Sequence, residues 1–336
     1  MGQTMNMRAA WFESFGSAAQ SLIVGELARP VAGPGEVLVS IHCSAVNPSD
    51  VKKRAGSAAN LLDQGLVIPH SDGAGVIAAV GEGVPAQRIG ERVWIYQAQY
   101  GRRFGTAAEY LTIDQARAVA LPDNSSFEIG ACLGIPVMTA HRCVFADGEV
   151  AGKTILVTGG AGRVGYYAIQ WAKRAGAKVI ASASNDSDRE ACLALGAAAV
   201  VNHRQDGWSE QVLAANGGVG VDRVIDVEFG ANLPEVLKMI ANSGVIATYS
   251  SSQLREPVLP FMSMMFMDLT IRMVLVYAMP ESAKLAAISD INTALEENAL
   301  QHRIAHSLEL ADIVRSHELV EAGGFGGCVL VNLKQT

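Results

Sequence analysis

Charged side chains are scarce in this sequence, at 18% of residues, against roughly 25% in ordinary soluble chains. Cations are the scarcer sign: Lys and Arg number 26 against 33 Asp and Glu, a net charge of −7. That balance argues against nucleic acid as a partner, because gripping a phosphate backbone needs a positive face. Cysteine is also sparse. The five thiols, Cys43, Cys132, Cys143, Cys192 and Cys328, are odd in number and contain no Cys-x-x-Cys pair. That argues against a disulfide framework and a four-cysteine zinc lobe, and the thiols read as small buried hydrophobes in a reducing compartment. No uncharged apolar run reaches the roughly 18 residues of a membrane span; the longest, Val258 to Met279, is broken by Asp268 and Arg272. The segment Met1 to Arg8 has no apolar core of the signal-peptide kind. Repeats, low-complexity tracts and charge runs are missing, and the 34 glycines have no collagen period. With 50% hydrophobic residues, 336 positions are enough for two cored domains. The expectation is a soluble, cytoplasmic protein.

The first third reads as β-rich. Short apolar runs (Val37 to Ile41, Gly75 to Val80, Arg92 to Tyr96, Glu109 to Ile113, Ala118 to Leu121) lie between turn signals such as Gly33-Pro34-Gly35 and Gly81-Glu82-Gly83. That spacing predicts a small barrel or sandwich. Near Phe127 the pattern changes. Strands are predicted at Lys153–Thr158, Lys178–Ser182, Val200–Val201, Arg223–Val227 and Val245–Tyr249. Between them come helices at Val164–Ala175, Asp188–Leu195, Trp208–Ala214 and Leu233–Ile240. Alternation of this kind implies a parallel sheet covered by helices. A helix from Glu281 to Asn298 and an apolar strand, Cys328 to Leu333, close the chain. The fold class is α/β: a β-rich domain wrapped around an inserted, doubly wound parallel sheet.

The strand Lys153 to Thr158 runs straight into Gly159-Gly-Ala-Gly-Arg-Val-Gly165, in which Gly160, Gly162 and Gly165 have the G-x-G-x-x-G spacing. The motif follows a strand and opens a helix, the context in which it holds a dinucleotide. Gly160 is assigned the tight turn, Gly162 the close approach of pyrophosphate, and Gly165 helix-on-strand packing. N–H groups at the helix start, around Arg163 and Val164, would hold the anion. The next strand ends Ala183-Ser184-Asn185 with no acid at its tip. An Asp or Glu there would select the free ribose 2′-OH of NAD. Its absence, with Ser184 and Asn185 as donors and Arg163, Arg189, His203 and Arg204 as counter-charges, favours NADPH. Asp186 and Asp188 argue the other way unless they face solvent.

These features occur in order with Val46-Asn-Pro-Ser-Asp50, Ser71-Asp-Gly-Ala-Gly-Val76, Gly90-Glu-Arg-Val93, Gly134-Ile-Pro-Val-Met-Thr139, Val201-Asn-His-Arg204 and Gly323-Gly-Phe-Gly326. From Arg8 to about Val331 the sequence resembles the zinc-independent quinone oxidoreductases (zeta-crystallin-like) of the medium-chain dehydrogenase/reductases. The resemblance implies a GroES-like catalytic domain over residues 1–127, a Rossmann NADP-binding domain over 128–279, and a return to the catalytic domain over 280–336. It implies a cofactor in the cleft between them and hydride transfer from NADPH to a quinone or to the β-carbon of an enone. It implies Asn47 and Asp50 beside the nicotinamide and ribose, Thr139 fixing the ring, Tyr249 and Ser250 under the carboxamide, and Phe325 at the cofactor. It further implies a homodimer paired through a Rossmann edge strand, here Leu269 to Ala278. Zinc-dependent relatives carry a Cys where this chain has Ser49 or Asp50, and a His–Glu pair where it has Ser71-Asp72, with His70 one residue out of register. A tetrahedral catalytic zinc would lack its ligands, so no metal is expected. His302 and His306 are taken as incidental surface histidines.

Lys52 stands where zeta-crystallin proper has Tyr, and some plant-type enone and quinone reductases resemble this chain in having Lys. An ammonium there would stabilise or protonate a developing substrate oxyanion; a solvated lysine beside Lys53 and Arg54 is the plainer alternative. Gly327, where relatives often have Lys, weakens a phosphate clamp from the C-terminal segment. Tyr96 and Tyr100 lie in a stretch, Trp94 to Phe104, longer than its zeta-crystallin counterpart, and are candidates to line a flat quinone pocket. Equally, Trp94 is core and Tyr100 sits on a loop. Quinone reduction is the first functional expectation, reduction of an enone or 2-alkenal the second, and a low-turnover NADPH-binding protein the third.

Overall fold

The computed structural model describes residues 5–334. It divides into two compact units, Met1–Ile135 with Ile288–Thr336, and Pro136–Ala287.

The first unit opens with β1 (Asn6–Phe12) and β2 (Leu22–Ala28), an antiparallel hairpin that the sequence reading missed. Then come β3 (Glu36–Val46), β4 (Asp72–Val80), β5 (Arg92–Ile95), β6 (Tyr110–Asp114) and β7 (Ala118–Ala120). β3 is the hub. It is buried on both faces along most of its length and pairs antiparallel with β4, β6 and, late in the chain, β15 (Cys328–Asn332), whose other neighbour is the parallel strand β14 (Ile304–Glu309). Its Val37, Val39 and Ile41 meet Ile77, Val93, Ile113, Val329 and Val331 in one core, so residues 36–46 and 328–332 share a sheet. Gly75 makes the β3–β4 approach possible: a Cβ there would stand 2.0 Å from the Ser40 carbonyl oxygen.

The second unit is a six-stranded parallel sheet: β8 (Thr154–Val157), β9 (Lys178–Ser182), β10 (Ala199–Val201), β11 (Val221–Asp226), β12 (Ile240–Thr248) and β13 (Thr270–Met273). The spatial order is β10-β9-β8-β11-β12-β13, with every pair parallel. Strand order therefore reverses between β8 and β11, the switch point where open α/β sheets receive ligands. Helix Arg163–Arg174 is buried around most of its circumference from Tyr167 to Ala172, with Tyr167 and Trp171 one turn apart on the same face and Ile169 on the opposite side. The expected edge strand is shorter than the sequence suggested. β13 ends at Met273, and Val276–Ala278 form a 3-10 turn with Val276 and Tyr277 buried, so that half of the apolar run packs inward instead of extending the edge.

Candidate active site

In the second unit a cavity of about 540 Å³ opens at the C-terminal ends of β8, β9, β10 and β11. Thr158, Gly159, Ser182, His203, Arg204 and Glu228 are among its lining residues. The glycine loop has a different division of labour from the one expected. The left-handed turn falls on Gly159, φ 59°, not on Gly160. Gly160 is a packing glycine, since a Cβ there would lie 2.9 Å from both Ala181 Cβ and Cys192 Sγ. Gly165 does allow close approach, a Cβ being 2.3 Å from the Gly159 carbonyl oxygen. Gly162, the N-cap of helix Arg163–Arg174, meets only that same oxygen, at 3.1 Å, and leaves open space before the helix start. A bare backbone cradle at a helix N-terminus suits a pyrophosphate.

Of the residues read as 2′-phosphate partners, His203 lines the cavity, its Nδ1 3.2 Å from Ser182 Oγ. Burial and neighbouring Arg204 push the His203 pKa down, so the ring is neutral at pH 7. Arg189 instead donates to the Val200 carbonyl at 2.6 Å, and Asn185 caps helix Asp186–Ala194 by accepting from the Asp188 amide at 2.9 Å. Both side chains are thus engaged by local structure. Ser250 lines the cavity, Tyr249 and Ser184 are half-buried, and Thr139 is buried in helix Met138–Phe145. Missed by sequence reading were Ser182, whose hydroxyl accepts from the Gly159 amide at 3.0 Å, and Glu228, which accepts from the Ser252 and Gln253 amides. No local pattern marks either one; only the topology brings them to the switch point.

In the first unit, Asn47 caps the short helix Pro48–Lys52. Its amide donates to Asp50 Oδ2 and its Nδ2 to Asp72 Oδ2, both at 2.8 Å. Asp72 also accepts from the Ile135 amide at 2.8 Å, and its Oδ1 is buried without a partner. Burial raises the Asp72 pKa to about 8, against the pull of the Ile135 amide, so the carboxyl holds its proton at neutral pH. Gly134 is required here, because a Cβ would stand 2.1 Å from Asp72 Oδ1. Lys52 is exposed, whereas Lys53 is half-buried. Lys53 Nζ donates to the Gln99 carbonyl at 2.8 Å and to Gln99 Oε1 at 3.0 Å, and burial lowers its pKa. Sequence reading weighed Lys52 and passed over its neighbour; the helix phase that buries one and exposes the other is a tertiary property. Trp94 is core, donating to Asn292 Oδ1. Tyr96 is buried with its hydroxyl 3.4 Å from the Ala116 carbonyl, while Tyr100 is 46% exposed. Phe325 stacks edge-on to His306 at 4.9 Å, and both His302 and His306 are half-buried instead of lying on the surface.

A chain of hydrogen bonds ends at the Asp72 backbone. Thr106 Oγ1 donates to the Asp72 carbonyl at 2.7 Å, which spends its proton. Ser44 must therefore donate to Thr106 (2.7 Å), and His70 Nδ1 to Ser44 (2.8 Å). Burial and His317 keep His70 neutral, so its Nε2 accepts from His317 Nε2 at 2.9 Å. His317 Nδ1 is left a bare, buried acceptor, and burial lowers that pKa to about 3. His70 is committed to this chain. Among the described residues no group of three or more His, Cys, Asp or Glu side chains is arranged to hold a metal ion. The donors at the place of the relatives' zinc site, Ser49, Asp50, Ser71 and Asp72, supply no thiolate or imidazole and do not fit that ion.

A family model described as "Zinc-binding dehydrogenase" matches residues 164–292, and one described as "Alcohol dehydrogenase GroES-like domain" matches residues 33–123. The chain is 32% identical to "Quinone oxidoreductase" of Rattus norvegicus over 71% of each protein. It is 31% identical to "2-methylene-furan-3-one reductase" of Solanum lycopersicum, over 61% of this chain and 54% of that one. A solved "NAD-dependent alcohol dehydrogenase" superposes with a TM-score of 0.88 at 30% identity, covering 97% of this chain and 99% of that one.

Proposed function

The chain belongs to the medium-chain dehydrogenase/reductases, in their quinone oxidoreductase-like family, and is an oxidoreductase; from that premise we propose that it reduces quinones with NADPH and without a metal. The similarity to rat quinone oxidoreductase carries the acceptor, and the donor set at Ser49, Asp50, Ser71 and Asp72 supports independence from zinc. In this reading residues 128–279 form the NADP-binding domain, flanked by catalytic-domain segments 1–127 and 280–336. When bound, NADPH supplies a hydride, two electrons and one proton nucleus together, to the acceptor. The Gly159–Gly165 loop and the helix at Arg163 hold the pyrophosphate, and Ser182, His203 and Arg204 take the adenosine ribose and its phosphate. Tyr249, Ser250 and Thr139, and in the first unit Asn47 and Asp50, would hold the nicotinamide end, and Phe325 would contact the cofactor. Lys52, exposed on its helix, donates a proton to the substrate oxygen as negative charge develops there, completing the hydroquinone. Tyr100, 46% exposed, is the aromatic that would meet a flat ring, while the Tyr96 ring is a buried wall.

The second reading is reduction of the C=C bond of an enone or 2-alkenal, favoured by Lys52 and by the likeness to the tomato furanone reductase. The proposal includes a homodimer paired through β13, the terminal strand of its sheet, beside which Met273 and Leu275 are exposed. It also includes a cytoplasmic location; no described helix is long and apolar enough to cross a membrane. The test is oxidation of NADPH, and separately NADH, by metal-depleted full-length protein with an ortho-quinone and a simple enone in parallel. Faster quinone turnover supports the first reading and faster enone turnover the second. No turnover with either removes both and leaves a cofactor-binding role. Preference for NADH overturns the cofactor assignment.

A further inference from the structure

A second cavity, of about 300 Å³, lies wholly within the first unit, between the β1–β2 hairpin, residues Leu66–Ile68 and β6. Its floor is Met7, Ile68 and Leu111, all buried, and Leu27 and Leu66 are half-buried in its walls. Phe104, 39% exposed, and half-buried Tyr110 stand at the opening. Each aromatic carries a guanidinium: Arg103 Cζ is 4.9 Å from the Phe104 centroid, and Arg29 Cζ is 3.7 Å from that of Tyr110. Arg103 Nη1 donates to the Leu66 carbonyl at 3.1 Å. Among the described residues its Nε and Nη2 have no hydrogen-bond partner, and neither arginine pairs with a carboxylate. Stacking on one face and one hydrogen bond at Nη1 fix the guanidinium plane. The edge left over, Nε with Nη2, is the edge that takes a carboxylate bidentately. A chain with a net charge of −7 thus leaves two cations uncompensated at the rim of an apolar hole.

We propose that this cavity binds a medium-chain fatty-acid carboxylate, the alkyl tail against Met7, Leu27, Ile68 and Leu111 and the head group on the free edge of Arg103. An alkyl tail suits the cavity because its buried lining side chains, Met7, Ile68 and Leu111, are aliphatic or thioether. The volume is at the small end of ligand pockets, roughly 300–1,000 Å³, and a pre-fixed guanidinium lowers the ordering cost of binding. The site is independent of the reductase reading and stands or falls without it.

The experiment is a titration of full-length protein carrying methyl-labelled methionine with octanoate, reading the Met7 methyl resonance, assigned by Met7→Leu. Octanoate is expected to shift that resonance saturably. 1-Octanol, with the same tail and no charge, should need about tenfold more ligand, as for a lost charge-assisted pair. Arg103→Met should weaken octanoate about tenfold and leave octanol unchanged, with the other methionine resonances in place as the check on folding. Leu27→Trp, which fills the cavity, should abolish both shifts. A Met7 resonance that does not move, equal binding of octanoate and octanol, undiminished octanoate binding by Arg103→Met, or tighter binding of 2-naphthoate than of octanoate would each overturn the proposal.

Discussion

Two aspartates, one in each unit, are buried at the ends of strands and solve the same problem differently. Asp226, closing β11, accepts at Oδ1 from Thr158 Oγ1 (2.7 Å), Asn232 Nδ2 (2.8 Å) and the Glu228 amide (3.1 Å). Asp72, opening β4, accepts at Oδ2 from only Asn47 and the Ile135 amide, with Asp50 adding repulsion. Each has its second oxygen buried and unpartnered. Burial raises both pKa values, that of Asp72 to about 8. Each N–H or O–H aimed at a carboxylate offsets part of the desolvation, and Asp226 collects one more such donor than Asp72. Asp226 gathers the loops that wall the cofactor-type cavity; Asp72 stores a proton beside Asn47.

The largest effect is expected at the richer site. Asp226→Ala strands three donors and should cost about 3 kcal/mol or more, with loss of NADPH binding, measured by denaturant unfolding and fluorescence titration. Retained NADPH affinity would mean that Asp226 does not organise the cavity. Next comes Asp72. Replacement by Ala should cost about 2 kcal/mol, whereas Asn, shaped like the protonated acid, should cost less than about 1 kcal/mol at pH 7. Equal losses would break the contrast between acceptor and proton store.

The pH dependence sharpens it further. The folded pKa of Asp72 lies above its unfolded value near 3.8, so its stabilisation is full below that value and is lost as pH rises toward about 8. Half-buried His302 and buried His317, lowered to about 4 and about 3, act oppositely and cost stability as pH falls below 6.5. Thermal melts should therefore be highest at mildly acidic pH, and Asp72→Asn should flatten the alkaline limb alone. Smallest is the lysine pair. Lys53→Met should cost about 1 kcal/mol through the lost bonds to Gln99, while Lys52→Met should change stability by less than about 0.5 kcal/mol and lower kcat/KM. The reverse pattern would exchange their roles.

What could be read from the sequence was what is local. Strand Lys178–Ser182 coincides with β9, and the glycine loop sits between strand and helix as its spacing demands. The hairpin β1–β2 escaped because its pattern, Asn-Met-Arg-Ala-Ala-Trp-Phe, is neither alternating nor uniformly apolar, and its burial comes from partners at Val67 and Ala108. All five cysteines are buried, as their scarcity and spacing suggested, yet Cys43, Cys132 and Cys328 share one small core cluster that no spacing announces. The Asp72 proton was illegible for a related reason. It depends on burial against Gly134 and Ile135, some sixty positions along the chain.

The hydrogen-bond chain from His317 to the Asp72 carbonyl has a consequence for how this sequence can change. Because a carbonyl fixes its far end, each of the four side chains has one assigned role: all give to the next, and all but the first, His317, receive from the one before, like cars on a one-way street. A newcomer at position 44 or 106 must both give and receive, so Ser and Thr can exchange there, while Ala or Val would leave a neighbour facing the wrong way. Position 70 needs a side chain that spans two partners at opposite ends, a demand only imidazole meets readily. Positions 44, 70, 106 and 317 therefore form one unit of inheritance scattered over most of the chain. In a library randomised at all four, survivors should be found as matched sets, with single replacements that break the order eliminated.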